Sequence, residues 1–187
     1  MSVDTARRSA CATRLRQNSG MKVTLVLLAM AALSRAENPL SDELRASYED
    51  VKSNVLRSAE KMPEENYSFK PAPRVRTFGE VLGHIAQEQY LFFCGPVKGE
   101  HKAVDVEKTK TSKADLLTAL RESFAYCDGV YNSMTDANLA EVIENGGSKH
   151  TKSVLLWHNI VHDTLHYGNL VTYLRIKGLV PPSTEGQ

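Results

Sequence analysis

Cysteine, tryptophan and one-sided charge are all scarce in this chain. Three cysteines in 187 residues form no CxxC pair and sit in no nucleophile signature, so neither a redox dithiol motif nor a cysteine hydrolase is indicated. No phosphate-binding loop and no Ser-His-Asp signature is present, which removes those two routes to catalysis. The formal net charge is +1 with 24% charged residues, so no strong field marks a partner. Segments with the alternation of a half-buried strand are missing as well.

The N-terminal part distorts these totals. Met21-Lys22 precedes an apolar run from Val23 to Leu33, interrupted by Thr24 and followed by Ser34-Arg35-Ala36. A basic start, a short apolar stretch and small residues at −3 and −1 read as a signal peptide over residues 1–36, cut after Ala36. The run is roughly half of what a bilayer-spanning helix needs. The alternatives are a buried N-terminal helix or a membrane anchor. Residues 1–20 hold four arginines and no hydrophobic pattern, so Met21 is a candidate start. The expectation is an exported protein, periplasmic or extracellular, with no stable membrane insertion once the segment is removed.

Residues 1–36 carry six of the 23 Lys and Arg and one of the 22 Asp and Glu, leaving 17 basic and 21 acidic residues in 37–187. That balance argues against nucleic acid as a partner, because phosphate binding needs a concentrated positive patch. Cys94 and Cys127 remain, either paired, as export permits, or as two buried thiols.

Four helical segments follow. Ser41-Asp42-Glu43 reads as a start, with Leu44, Tyr48, Val51, Val55, Leu56 and Ala59 at helical spacing and Pro63 as the stop. Thr77-Phe78-Gly79-Glu80 reads as a capping box opening a second helix that ends by Gly95-Pro96. Residues 95–111 form a polar, Lys-rich crossing. Ser112 to Asp115 opens a third helix with Leu116, Leu120, Phe124, Cys127 and Tyr131 along one face. Residues 135–150 read as a loop around Gly146-Gly147, with a short turn between Ala137 and Ile143. The fourth helix runs from about Thr151 to Lys177, stopped by Gly178 and barred from resuming by Pro181-Pro182. The fold class is therefore all-α, a four-helix bundle. The second connection is long enough for helices 2 and 3 to run either as a hairpin or in parallel. Parallel packing would bring Cys94 and Cys127 to the same half of the bundle.

The fourth helix, WHNIVHDTLHYGNLVTYLRIKG, carries the chemistry. His162 and His166 stand four residues apart and project from one helical face, a spacing that supplies two ligands to one metal ion. At 100° per residue, Leu155, His158, His162, His166, Asn169 and Tyr173 form one seam. A catalytic metal usually takes three protein ligands and keeps an open position. His84 on the second helix, on a face with Val81, Ile85, Glu88 and Leu91, is the candidate third ligand. His158 is an extra or supporting residue, whereas His101 and His150 fall in loops. Glu88, one turn after His84, is the candidate general base or hydrogen-bond partner.

The run His162-Asp163-Thr164-Leu165-His166-Tyr167-Gly168-Asn169, continued by Leu170 to Arg175 and by Lys177-Gly178-Leu179-Val180-Pro181-Pro182-Ser183, resembles the C-terminal signature of the DinB/YfiT-like superfamily. Phe78 to Ala86 resembles its second-helix motif, with the histidine in place. The resemblance spans about residues 41–183. It implies an up-down-down-up bundle with a long crossover between helices 2 and 3. It also implies a divalent metal, often zinc or nickel, on His84, His162 and His166. Relatives of this kind include thiol-dependent S-transferases and isomerases beside hydrolases. The leading expectation is thus a metal-dependent enzyme acting on a small molecule through activated water or thiol. The alternative is a non-catalytic metal- or ligand-binding module, with Ile160 and Val171 offered to a second subunit of a homodimer.

Overall fold

The computed structural model describes residues 37–100 and 102–186; the expected signal segment 1–36 and His101 lie outside them. The long elements are α1 (Pro39–Lys61), α2 (Phe78–Glu88), α5 (Lys113–Asn132) and α7 (Lys152–Ile176). Shorter ones are α3 (Cys94–Lys98), α4 (Val106–Thr109) and α6 (Asp136–Leu139), with a hairpin of β1 (Val142–Asn145) and β2 (Ser148–Thr151). Among the described residues no helix is long and apolar enough to cross a membrane.

Local chemistry sets most helix starts. Thr77 Oγ1 accepts from Glu80 N–H at 3.1 Å while Glu80 Oε2 accepts from Thr77 N–H at 2.6 Å, a complete capping box on α2. Ser112 and Thr151 cap α5 and α7 through their side-chain oxygens. Gly178, at φ 73°, supplies the left-handed residue that ends α7. The first helix corrects the expected start at Ser41. It begins at Pro39, whose fixed φ suits the first helical position. Ser41 lies inside it, and its backbone N–H donates to Asp136 Oδ1 at 2.9 Å. Asp136 in turn donates its N–H to Asn38 Oδ1 at 3.0 Å. The cap comes from α6, 95 residues away, instead of from the local serine.

Contacts at known depths give the topology. Cys94 and Cys127 form a disulfide, with Cα atoms 5.5 Å apart. Near the opposite ends of α2 and α5, Gly79 and Gly83 back onto Leu116, so those two helices run parallel. Lys113, opening α5, donates to the carbonyls of Glu60 and Met62 at the end of α1, which makes α1 and α5 antiparallel. Lys61 reaches Val180 O beyond the end of α7, while Tyr173 OH donates to Arg76 O before the start of α2. The order is up-down-down-up, and residues 99–112 make the crossover between the two parallel helices.

The faces expected on α1 and α5 are the buried ones. Tyr48, Val51, Val55 and Ala59 meet Leu116, Leu120, Phe124, Cys127 and Tyr131 in one core. Tyr48 and Tyr131 stack at 3.9 Å between ring centroids, and the Tyr48 hydroxyl donates to Phe124 O at 2.9 Å. Burying each such side chain contributes about 1.5–3 kcal/mol.

Two segments depart from the expected pattern. Residues 135–150 are not a loop but α6 and a hairpin, turned by Gly146 and Gly147 at φ 60° and 78°. Both glycines hold positive φ, as a two-residue hairpin turn requires. His150 therefore sits on β2, opposite Ile143. The polar strands VIEN and SKHT carry no alternation by which to announce themselves.

The second helix also does not stop at Gly95-Pro96. It passes through a π-helical stretch, Gln89–Phe93, and continues to Lys98, closed by Gly99 at φ 77°. Pro96 explains the change. It has no N–H to give the carbonyl four residues back, and its ring crowds that carbonyl. The carbonyl belongs to Phe92, and it takes the side-chain amide of Asn145 at 3.4 Å instead. Cys94 N–H bonds to Gln89 O, five residues back. The wider π turn leaves backbone against backbone where it ends: a Cβ at Gly95 would lie 1.9 Å from Tyr90 O.

Candidate metal centre

Because α2 and α7 pass antiparallel, His84 faces the pair His162 and His166 across their interface. The ring centroids are 5.1 Å (84–162), 4.8 Å (84–166) and 4.5 Å (162–166) apart. One ligand nitrogen from each ring lies within 4.8 Å of the others, and among the described residues no fourth His, Cys, Asp or Glu joins the cluster.

The outward ring nitrogens decide what the inward ones present. His84 Nδ1 lies 3.2 Å from Glu107 Oε2, and His162 Nδ1 lies 3.1 Å from Asp163 Oδ1. Each carboxylate accepts an Nδ1–H, which assigns the tautomer and leaves Nε2 as a lone pair. Those two Nε2 atoms stand 3.2 Å apart. Two lone pairs at that separation repel unless a cation lies between them. Ligand nitrogens at a zinc–nitrogen distance of 2.0–2.1 Å in a tetrahedral site would be roughly 3.3 Å apart. His166 Nδ1 meets the Asn169 side-chain amide at 3.3 Å; that amide is exposed, so by turning its oxygen inward it can accept an Nδ1–H as the two carboxylates do. The donor set fits a divalent transition metal.

Electrostatics disfavour protonation of two of the rings. Burial, aided by the His162 and His84 rings, pushes His166 down to about 4. Burial likewise lowers His84, with Arg76 and His162 adding to it. Glu107 is held below the usual carboxylate range: burial opposes this, but the Arg76 guanidinium, 2.7 Å away, overrides it. Glu107 reaches the site because Gly83 lets α4 lie against α2; a Cβ there would be 3.1 Å from Glu107 Cα.

Glu88 stands where its position one turn after His84 places it, with Oε1 3.8 Å from His84 Nδ1. Burial raises its pKa against the pull of His162. The seam expected on α7 needs correction. Leu155, His166 and Tyr173 are buried, but His158 and Asn169 are exposed. His158 packs on Trp157 at 5.5 Å, away from the cluster. The inward polar residues are instead Asn159 and Asp163, both at 0% exposure, with Gln89 of the π-helical stretch equally buried. Asp163 adjoins His162 in sequence, which is a weak signal of pairing; Glu107 had none, lying 23 residues from His84 in the polar crossing.

The model of the DinB superfamily matches residues 47–170. The chain belongs to the DinB superfamily. Among curated proteins, YjoA of Bacillus subtilis (strain 168), itself described as uncharacterized, is 27% identical over 123 residues, covering 64% of this chain and 79% of that protein. The DinB fold recurs in solved structures. A DinB-like protein from Bacillus cereus superposes with a TM-score of 0.66 at 20% identity, over 75% of this chain and 95% of that one. The B. subtilis YjoA structure gives 0.61 at 24% identity, over 73% and 92%. A conserved protein from Enterococcus faecalis gives 0.60 at 16% identity, over 73% and 95%. This member of the DinB superfamily thus carries a helical bundle with a three-histidine cluster and a small hairpin.

Proposed function

We propose that this protein is an exported, metal-dependent enzyme in which His84, His162 and His166 hold one divalent transition metal, zinc or nickel. The observation that carries the reading is the pair of facing Nε2 atoms at 3.2 Å, each on a ring whose Nδ1 meets a carboxylate on the far side. Three imidazoles with no fourth protein ligand among the described residues suit a catalytic site better than a closed structural one. Such an ion, when bound, lowers the pKa of a coordinated water to about 7 or activates a thiolate.

The chain's own residues divide the remaining work. Glu107 and Asp163 orient two of the ligands. Glu88 takes up a proton from the reacting group, its basicity raised by burial. Phe93, its ring 5.1 Å from that of His162, screens one side of the cluster from water. The Cys94–Cys127 disulfide supports the export reading, since such bridges persist in oxidising compartments. There a hydrolytic, thiol-independent reaction on a small molecule is favoured over thiol transfer, because free low-molecular-weight thiols are scarce.

A second reading, a non-catalytic binding module that dimerises, draws on the outer face of α7. Ile160 and Val171, the residues first offered to a partner, are half-buried against the protein's own core. The exposed apolar residues are Val154, Trp157, Val161 and Leu165.

Elemental analysis of untagged protein, kept from chelating resin, separates these outcomes when run beside His162→Ala and His84→Ala. About one equivalent of zinc or nickel, lost in both variants while helical content is kept, is the expected result. Full metal content in either variant would refute the site. Exchange of inhibitor anions at the loaded centre distinguishes an open catalytic position from a closed one.

A further inference from the structure

Behind His162 runs a fully buried chain of polar contacts that three ligands alone do not require. Asp163 Oδ2 accepts from Gln89 Nε2 at 2.6 Å. The other end of the same amide, Gln89 Oε1, lies 2.9 Å from Cys127 Sγ and 3.9 Å from Cys94 Sγ. On the far side of the bridge, Asn159 Nδ2 lies 3.9 Å from Cys94 Sγ and donates to Tyr131 Oη at 3.3 Å. Asn159 Oδ1 is buried without a partner.

A bridged sulfur carries no hydrogen, so the contact at Gln89 Oε1 contains no proton. Gln89 Oε1 therefore lies against the disulfide with no donor, and Asn159, whose amide nitrogen faces Cys94 Sγ, has a second unpaired buried oxygen. Buried acceptors in this condition are uncommon and unfavourable. Reduction would place the Cys127 S–H group beside Gln89 Oε1.

We propose that the Cys94–Cys127 pair is a redox switch for the metal centre, transmitted to His162 by Gln89 and Asp163 as positioning residues. The proposal rests on the reading that the three histidines hold a metal. A dithiol reductant breaks the S–S bond and delivers two electrons and two protons, leaving two thiols here and a disulfide on itself. The sulfurs then part from about 2.05 Å to non-bonded contact. Gln89 Oε1 lies beside Cys127 Sγ, to one side of the S–S axis, and becomes the acceptor of a new S–H bond. Its amide resettles to meet that donor, and its other end holds the carboxylate that fixes the His162 tautomer. The bridged form locks the ligand; the dithiol form loosens it. Loss of such an outer partner lowers metal affinity about 10- to 100-fold. Linkage requires the reciprocal effect: metal makes the pair harder to reduce, by about 30 mV for each tenfold difference in affinity.

The test uses the full chain in a Cys11→Ser background, so that the pair alone titrates. Zinc affinity is measured by chelator competition on the bridged and dithiol forms. The midpoint potential is then measured in glutathione buffers, with and without zinc held at a fixed free concentration. The expected result is at least tenfold tighter zinc binding by the bridged form, with a matching fall in potential. Both differences should disappear in Gln89→Met, where the thiols remain but the relay is cut. Equal affinities in the two forms would overturn the proposal while leaving the metal site standing. A difference that survives in Gln89→Met would also overturn it, since the thiols would then act without the relay. Zinc and nickel bound by neither form would instead sink the metal reading beneath it.

Discussion

Replacing Asp163 by asparagine changes one atom and should reverse the tautomer of His162. The side chain is wholly buried between two fixed partners, Gln89 Nε2 at 2.6 Å and His162 Nδ1 at 3.1 Å. Gln89 presents N–H groups, so the asparagine oxygen must face it. The asparagine NH2 then points at His162 Nδ1 and occupies its lone pair. The ring proton moves to Nε2, the atom that would bind metal. Removing an outer-shell partner of this type costs 10- to 100-fold in affinity, or about 1.4–2.7 kcal/mol. The metal-free protein should not suffer in parallel. With Nε2 protonated, His162 can donate to His84 Nε2 at 3.2 Å, replacing lone-pair repulsion by a hydrogen bond worth about 0.5–1.5 kcal/mol. The signature is a variant that binds zinc more weakly yet, without metal, melts no lower than the parent. Chelator competition and thermal melting of the metal-free form measure the two halves. Zinc affinity within about twofold of the parent would refute the tautomer argument.

Other expectations follow from single contacts. Glu88→Gln should keep its metal and slow turnover about 10²- to 10⁴-fold on any substrate found; unchanged turnover would remove Glu88 from the reaction. Gly95→Ala would drive a Cβ to 1.9 Å from Tyr90 O, so the backbone must shift. Overpacking of this kind costs about 1–3 kcal/mol, lowering the melting temperature by several degrees, and an unchanged melt would contradict the π-helical path. The metal-free protein should also weaken in mild acid. His166 is held at about 4 when folded, against about 6.5 in an unfolded chain. The unfolded state therefore binds more protons between those values, and stability present above pH 6.5 is lost as pH falls towards 4, by up to about 3 kcal/mol. Denaturant midpoints between pH 7 and 5 should fall in the parent and stay flatter in His166→Gln; identical slopes would contradict the assignment.

The features legible in the sequence are those set by neighbours in the chain. Thr77 and Glu80, Ser112, Thr151 and Gly178 mark helix ends that local hydrogen bonds and φ angles enforce. His162 and His166 read as a pair because one helical turn fixes their relation, and His84 reads as their partner because bundle helices converge on a shared core. What the sequence hid depends on distant segments. Asp136 caps α1 from across the bundle. Glu107 reaches His84 only once the crossover lies on Gly83. Asn159 and Asp163 sit off the seam that a uniform 100° step selects, and His158, on that seam, sits outside the cluster. The cysteines left their pairing open until the parallel packing of α2 and α5 closed it.

The π-helical stretch Gln89–Phe93 works as a gear between two angular phases of one helix. Upstream, the α-helical step aims His84 at the histidine pair. Downstream, the extra residue has rotated the helix so that Cys94 meets Cys127 and Val97 enters the core. His84 and the cysteine thus belong to different angular frames, joined at Gln89, the residue that touches both Asp163 and the bridge. Removing one residue from 89–93 would restore a single phase. It would leave His84 on target and swing the cysteine about 100° away, uncoupling the two halves of the helix in one step.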